Sequence, residues 1–256
     1  MTDLRTLGGT SSVAKGINKS GQVVGWSDNS SGERRAFLYD STNGMKDLND
    51  SIPADLGWTL YEAAGINTEG KIAASSYGNT TPDPSIVCDY ESGMGPPVGA
   101  ALVLSPTTTA NYEVQDLGTL GGYYSRARSI NNSSNVVGYS YTAPCGGELA
   151  FFYDESADPM MRGLIMHEAR GLYNSGKVVG YVQEYINGMC VDVGSGNDCW
   201  RAVLYDSATK QMQYLGDLRG TYPMGWRGVF GSGCKWHKRL RRRGRDVRYP
   251  RRFLRG

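Results

Sequence analysis

Little in this chain is equipped for acid–base or nucleophilic chemistry, and the few residues that are stand in informative places. Only two histidines occur among 256 residues. His167 opens a short apolar segment, and His237 lies in an arginine-rich tail. A Ser-His-Asp triad would have to rest on His167, and no nucleophile-elbow sequence accompanies it. A loop histidine satisfied by its neighbours is therefore expected. Carboxylates are plentiful, but Asp40, Asp154, Asp206, Asp47, Asp116 and Asp217 recur at matching points of a repeated pattern. A carboxylate needed in every copy is a turn residue that accepts backbone N–H bonds, not a unique catalyst. Glu62 and Glu168 differ: neither recurs in every copy, and each precedes a recurring turn, Ile66-Asn67 or Leu172-Tyr173-Asn174. They are the pair on which glycosidase- or lyase-like chemistry would depend, given convergence and raised pKa values. No Asp-x-Asp-x-Asp-Gly calcium loop, GxGxxG or phosphate-loop spacing occurs. No catalytic, cofactor-binding or metal-ligating residue is assigned.

The elements that position these residues come from one recurring phrase. Gly16-Ile17-Asn18-Lys19-Ser20-Gly21 runs into QVVGWS, and Gly65-Ile66-Asn67-Thr68-Glu69-Gly70 into KIAASS. Ser129-Ile130-Asn131-Asn132-Ser133-Ser134 leads to NVVGYS, and Gly171-Leu172-Tyr173-Asn174-Ser175-Gly176 to KVVGYV. A second block follows each copy: RAFLYD to Asp40, AALVLS to Ser105, LAFFYD to Asp154 and RAVLYD to Asp206. A third, of the DLGTLGG kind, lies near Asp47, Asp116 and Asp217, and also opens the chain at Asp3. From Asn18 to Asn67, Asn131 and Asn174 the steps are 49, 64 and 43 residues. Two of these fall near the length of a four-stranded propeller blade. Val, Tyr and Phe in short runs suit pleated strands, and Asn-x-Ser-Gly supplies the tight hairpin. No window shows helical periodicity. The fold predicted is all-β and propeller-like, with four recognisable four-stranded blades (strands a to d) plus a broken fifth.

The blocks DLGTLGG, GIN-x-SG-x-VVG and AFLYD resemble the extracellular HAF-repeat family over about residues 3 to 218. The resemblance implies a β-propeller-like fold and an exported protein, and it implies no shared activity. The chain departs from the family at the residue before Ala-Phe, which is Arg35, Leu149 or Arg201 and never His.

Variation among the units marks where binding would reside. Long b–c insertions span roughly 78–99 and 182–200, with shorter ones at 28–35 and 141–149. All four leave the same edge of their blades, and such a face commonly carries recognition. Trp26, Tyr139 and Tyr181 share one position on strand b, and Tyr77 lies on the same side in the second unit. With Trp200 they form the candidate ligand-binding set, although packing between blades yields the same pattern. Cys190 and Cys199 share one insertion, while Cys88 and Cys145 lie in the b–c insertions of adjacent units. That placement suits two disulfides in an oxidising compartment; free half-buried thiols are the alternative. A zinc site is disfavoured because no Cys-x-x-Cys pair occurs.

Charge is unevenly distributed. Eleven of the 27 Lys and Arg residues fall between Cys234 and Gly256, so residues 1–233 hold sixteen basic against twenty-four acidic residues. The tail follows Gly228–Gly233, a degraded copy of the Ile-Asn phrase, and reads as an out-of-frame continuation; a solvated basic arm is the alternative. The expected organisation is thus one repeat domain over 1–233 and a disordered tail over 234–256. MTDL supplies a strand d without a to c, and the broken unit would supply a to c, so an uninterrupted frame is expected to close five blades. No run is long enough for a transmembrane helix, and repeat sequence from Asp3 leaves no signal peptide. The function expected is a non-catalytic, extracellular or periplasmic binding protein for a protein or glycan ligand, with no nucleic-acid partner. A propeller enzyme and a purely structural envelope repeat are the alternatives.

Overall fold

Short runs of β-branched and aromatic residues between tight turns build sheets throughout this chain. The computed structural model describes residues 2–78, 98–109, 111–144, 146–156, 158–183, 185–186, 189–190 and 200–216. Four antiparallel four-stranded sheets follow one another along the sequence. Blade 1 comprises β1 (Gly8–Ile17), β2 (Val23–Asn29), β3 (Arg34–Asp40) and β4 (Gly44–Asp47). Blade 2 comprises β5 (Thr59–Ile66), β6 (Ile72–Tyr77), β7 (Gly99–Pro106) and β8 (Tyr112–Asp116). Blade 3 comprises β9 (Ser125–Ile130), β10 (Val136–Tyr141), β11 (Glu148–Asp154) and β12 (Asp158–Gly163). Blade 4 begins with β13 (Glu168–Leu172) and β14 (Lys177–Gln183). A small hairpin, β15 (Tyr185–Ile186) with β16 (Met189–Cys190), precedes its last strands, β17 (Trp200–Asp206) and β18 (Gln211–Tyr214). The helical pieces among the described residues are two 3-10 turns, Leu48–Ser51 and Ala54–Leu56. Periodicity could not reveal segments that short.

The recurring asparagine is a latch between blades. Asn67 Oδ1 accepts the N–H groups of Glu69 (3.0 Å) and Lys71 (2.9 Å), closing its own turn. Its Nδ2 donates to the carbonyl of Asn131 in the next blade, at 3.3 Å. Asn18 repeats this toward the Asn67 carbonyl and Asn131 toward the Tyr173 carbonyl. The first strands β1, β5, β9 and β13 consequently adjoin in succession and form the inner strands.

The glycine of VVG has a different cause. A Cβ at Gly25, Gly138 or Gly180 would lie 2.0, 1.9 or 2.1 Å from the carbonyl oxygen of Val13, Arg126 or Glu168. Only glycine lets the inner strand approach so closely. A bulge accompanies each of these three approaches, leaving Lys15, Arg128 and Arg170 as extra, unpaired residues of the inner strands, and blade 2, with Ala74 in place of the glycine, has the matching bulge at Ala64. Bulges re-aim side chains, and here they set the charged positions.

Apolar layers fill the spaces between blades. Val24, Ala36 and Leu48 of blade 1 pack with Leu60, Ile66, Leu102 and Leu104 of blade 2. Ala101 and Val103 meet Phe151 and Tyr153 of blade 3, whose Ala150 and Phe152 meet Val203 and Tyr205 of blade 4. Among the described residues, the two outer faces lack such cover. Ile17 is 69% exposed where Ile66 and Ile130 are 7% and 8%, and Val179 is 42% exposed where Val24 and Val137 are fully buried. Beside the first of these faces, Thr2, Asp3, Leu4, Ser12, Ala14 and Phe37 line an open cleft of about 400 Å³.

Candidate functional site

Each inner strand starts where the DLGTLGG-type crossover ends. Thr119 Oγ1 donates to the Gly122 carbonyl, and the Leu120 N–H donates to Ser140 Oγ. Thr6, Gly9, Leu7 and Ser27 repeat the arrangement in blade 1. Second strands run back antiparallel, so the described b–c turns, Asn29 to Glu33 and Thr142 to Gly147, lie at this same end. The opposite end holds the Asn latches and the aspartate turns. There Asp40 Oδ1 accepts from Thr42 and Asn43, and Asp206 Oδ1 from Ala208 and Thr209. Asp40, Asp154 and Asp206 are turn residues, as their repetition predicts, and Asp47 and Asp116 accept from Asn49 and Gly118 N–H just past the last strands; Asp217 lies outside the described residues.

At the loop end, charged side chains from all four blades form a chain. Arg34 bonds to Glu62, whose Oε2 also receives Arg126 Nη2 at 2.9 Å. Arg128 approaches Glu62 Oε1 at 3.9 Å and bonds through Nε to Glu168 Oε1. Arg170 Nη2 donates to Glu168 Oε2 at 3.0 Å, and Tyr181 Oη donates to the same oxygen at 2.5 Å. Both carboxylate side chains are almost fully buried, at 2% and 3% exposure, while the Arg170 side chain is 60% exposed. Burial is the largest single influence on Glu168 and pushes its pKa up. The Tyr181 hydrogen bond and the Arg128 and Arg170 charges together outweigh it and hold the carboxyl below its ordinary value. An acid so held is a poor proton donor near neutral pH.

Aromatic rings lie alongside the guanidiniums. Arg34 sits 4.0 Å from the centroid of Trp26, Arg126 5.4 Å from Tyr61, Arg128 5.4 Å from Tyr139 and Arg170 5.3 Å from Tyr181. Tyr77 stacks on Tyr61 at 4.3 Å, and Trp200 stands edge-on to Tyr181 and to His167, at 4.8 Å from each. Tyr61 and Tyr124 hydroxyls share a hydrogen bond of 2.9 Å. Burial pushes the Tyr61, Tyr124 and Tyr139 hydroxyls well above the ordinary phenol value.

All five aromatic candidates, Trp26, Tyr77, Tyr139, Tyr181 and Trp200, thus stand at the loop end, together with Glu62 and Glu168. Trp26, Tyr139 and Tyr181 lie against arginines, whereas Tyr77 is 54% and Trp200 38% exposed. His167 joins the Tyr181–Trp200 group, but it is not satisfied as expected. Its buried Nδ1 has no hydrogen-bond partner among the described residues, and Glu148 Oε2 lies 3.7 Å away. Sequence reasoning missed Arg34, Arg126, Arg128 and Arg170. The signal was present in Arg126-Ala-Arg128 and Glu168-Ala-Arg170, charges two residues apart at matching positions of two inner strands. Cys88, Cys145 and Cys199 lie outside the described residues, as does the Cys190 side chain, and so therefore do both expected disulfides. Among the described residues no group of three or more His, Cys, Asp or Glu is placed to hold a metal. No helix among them is long and apolar enough to cross a membrane.

A family model described as "Protein of unknown function (DUF3466)" matches residues 4–111, the span of the first two blades. Comparison with curated proteins returns no match. Among solved structures, the crystal structure of TolB from Acinetobacter baumannii is similar, with a TM-score of 0.51 and 12% identity. The alignment covers 80% of this chain and 43% of that chain, so the chain spans less than half the length of that neighbour. At that identity the likeness is one of fold, and it agrees with the four sheets in giving an all-β, propeller-like architecture.

Proposed function

We propose that this chain is a non-catalytic binding module that engages its ligand with the face bearing the b–c loops. The observation that carries the reading is the convergence on that face of charged and aromatic side chains that vary among the blades. Repeated residues serve turns, latches and core, so charged and aromatic residues that differ from blade to blade are free to specify a partner. The enzyme alternative asked for converging carboxylates with raised pKa values. Glu62 and Glu168 do share Arg128, but Glu168 is shifted the other way. We further take residues 1–233 as a HAF-type repeat domain of an exported protein, with its cysteines paired and 234–256 as a segment outside the domain.

The reading is tested by offering the full chain to a glycan array and to a protein-capture experiment, beside Tyr77→Ala and Trp200→Ala. A specific ligand should be retained by the parent and bound about tenfold more weakly by the variants, the scale of losing one aromatic anchor. Equal binding by both variants would move the contact surface elsewhere. No retained ligand of either kind would leave a structural repeat protein as the better account.

A further inference from the structure

The loop-end cluster is not electrically balanced. Four guanidiniums, from Arg34, Arg126, Arg128 and Arg170, surround two carboxylates, Glu62 and Glu168. Lys15 occupies in β1 the bulge position that Arg128 and Arg170 occupy in their strands, and it is exposed. The carboxylates are buried while Arg34 and Arg170 are 35% and 60% exposed, so a ligand meets cations first. Two flat rings flank them, Tyr77 backed by Tyr61 and Trp200 held by Tyr181 and His167. Their backing fixes the rings in place while each keeps a third or more of its surface open.

We infer that this face binds an acidic oligosaccharide, with uronate carboxylates on the arginines and sugar rings against Tyr77 and Trp200. The inference rests on the binding-module reading and names its ligand class. A guanidinium matches a carboxylate in a two-pronged geometry that a lysine cannot supply. Exposed aromatic rings with a nearby polar group accept the apolar face of a pyranose. An acidic peptide would use the cations without needing flat rings. A single-stranded nucleic acid would use both kinds of contact, and the oligo-dT arm of the titration separates it from a uronate.

The test titrates the full chain with oligogalacturonate, its methyl ester, poly-glutamate and oligo-dT, followed by tryptophan fluorescence at low and high salt. Oligogalacturonate should bind, and more weakly as salt rises. The ester should bind about tenfold less well, the scale of one charged hydrogen-bonded contact. Arg170→Gln and Trp200→Ala should each cause a comparable loss, read at a temperature where circular dichroism shows the variant still folded. Arg34→Gln and Tyr77→Ala give the same readout should either of the first pair melt early. Equal binding of acid and ester would overturn the uronate assignment. Tighter binding of poly-glutamate or oligo-dT would overturn it in favour of an acidic protein or a nucleic acid. If none of the four probes binds while the array or capture experiment yields another ligand sensitive to Trp200→Ala, the ligand class fails and the binding module stands. If no ligand depends on this face, both fail.

Discussion

Glu168 is buried and ionised, and its environment sets the sign of a pH effect. Its pKa is lower in the folded chain than its ordinary 4.5. The unfolded chain therefore takes up the proton first as pH falls. The stabilisation is present above about pH 4.5 and is lost as pH falls through the lower, folded pKa. Removing the charge leaves Arg128 and Arg170 without their shared acceptor, and breaking a buried pair costs about 3–5 kcal/mol. Glu168→Gln should lower unfolding free energy by about 3 kcal/mol at pH 7, measured by urea denaturation, and should flatten the acid side of the stability profile. The tyrosines act at the other end. Tyr61, Tyr124 and Tyr139 have pKa values raised above 10, so they stabilise below that value and lose their contribution as pH rises through their folded pKa. Alkaline unfolding should begin above pH 10 and shift upward in Tyr139→Phe. At this scale the two glutamates stood out because they do not recur in every unit, and three of the five aromatics because they share one strand position. Their arginine partners did not, because pairing across 28 to 64 residues of sequence depends on which blades adjoin.

Element by element, the repeat phrase was read for its strands and turns but not for what its residues accomplish. Asn-x-Ser-Gly announced a hairpin, and the hairpins are there. The Nδ2 bond to the next blade is invisible in a single unit. Asn67→Ala removes two backbone acceptor contacts and the latch from a residue only 2% exposed. It should cost about 2–3 kcal/mol, given about 1 kcal/mol per hydrogen bond and more where a buried group is orphaned. Asn67→Asp keeps the acceptor and loses the donor, so its loss relative to the parent reads the latch, and the further loss in Asn67→Ala reads the two acceptor contacts. The VVG glycine makes a sharper case. Gly138→Ala places a methyl 1.9 Å from the Arg126 carbonyl, in a core with no room to give. It should cost about 1–3 kcal/mol by overpacking and loosen Arg126 from Glu62. Thermal unfolding reads the first effect, and the salt dependence of Tm reads the second. The bulges were not predicted, since one extra residue in a strand leaves the apolar pattern nearly intact.

For the molecule as a whole, spacing carried the architecture well: four blades, four strands each, in the order the blocks announce. The apolar layers between blades follow from the same alternation, one face of every sheet packing forward and the other backward. Ile17 and Val179 stand exposed on the outer faces because their counterparts' partners belong to a neighbouring blade. What spacing could not carry was how the charges at the loop end pair with one another. That depends on strand direction, on four bulges and on which sheets adjoin. The account's central claim is that ligand contact occurs at this end. Hydrogen exchange of the full chain with its retained ligand tests it most directly. Slowed exchange should concentrate in Trp26 to Arg34, Tyr61 to Glu62, Tyr124 to Arg128 and His167 to Arg170, with the Asn18, Asn67 and Asn131 turns unchanged. Protection centred on those turns instead would contradict it.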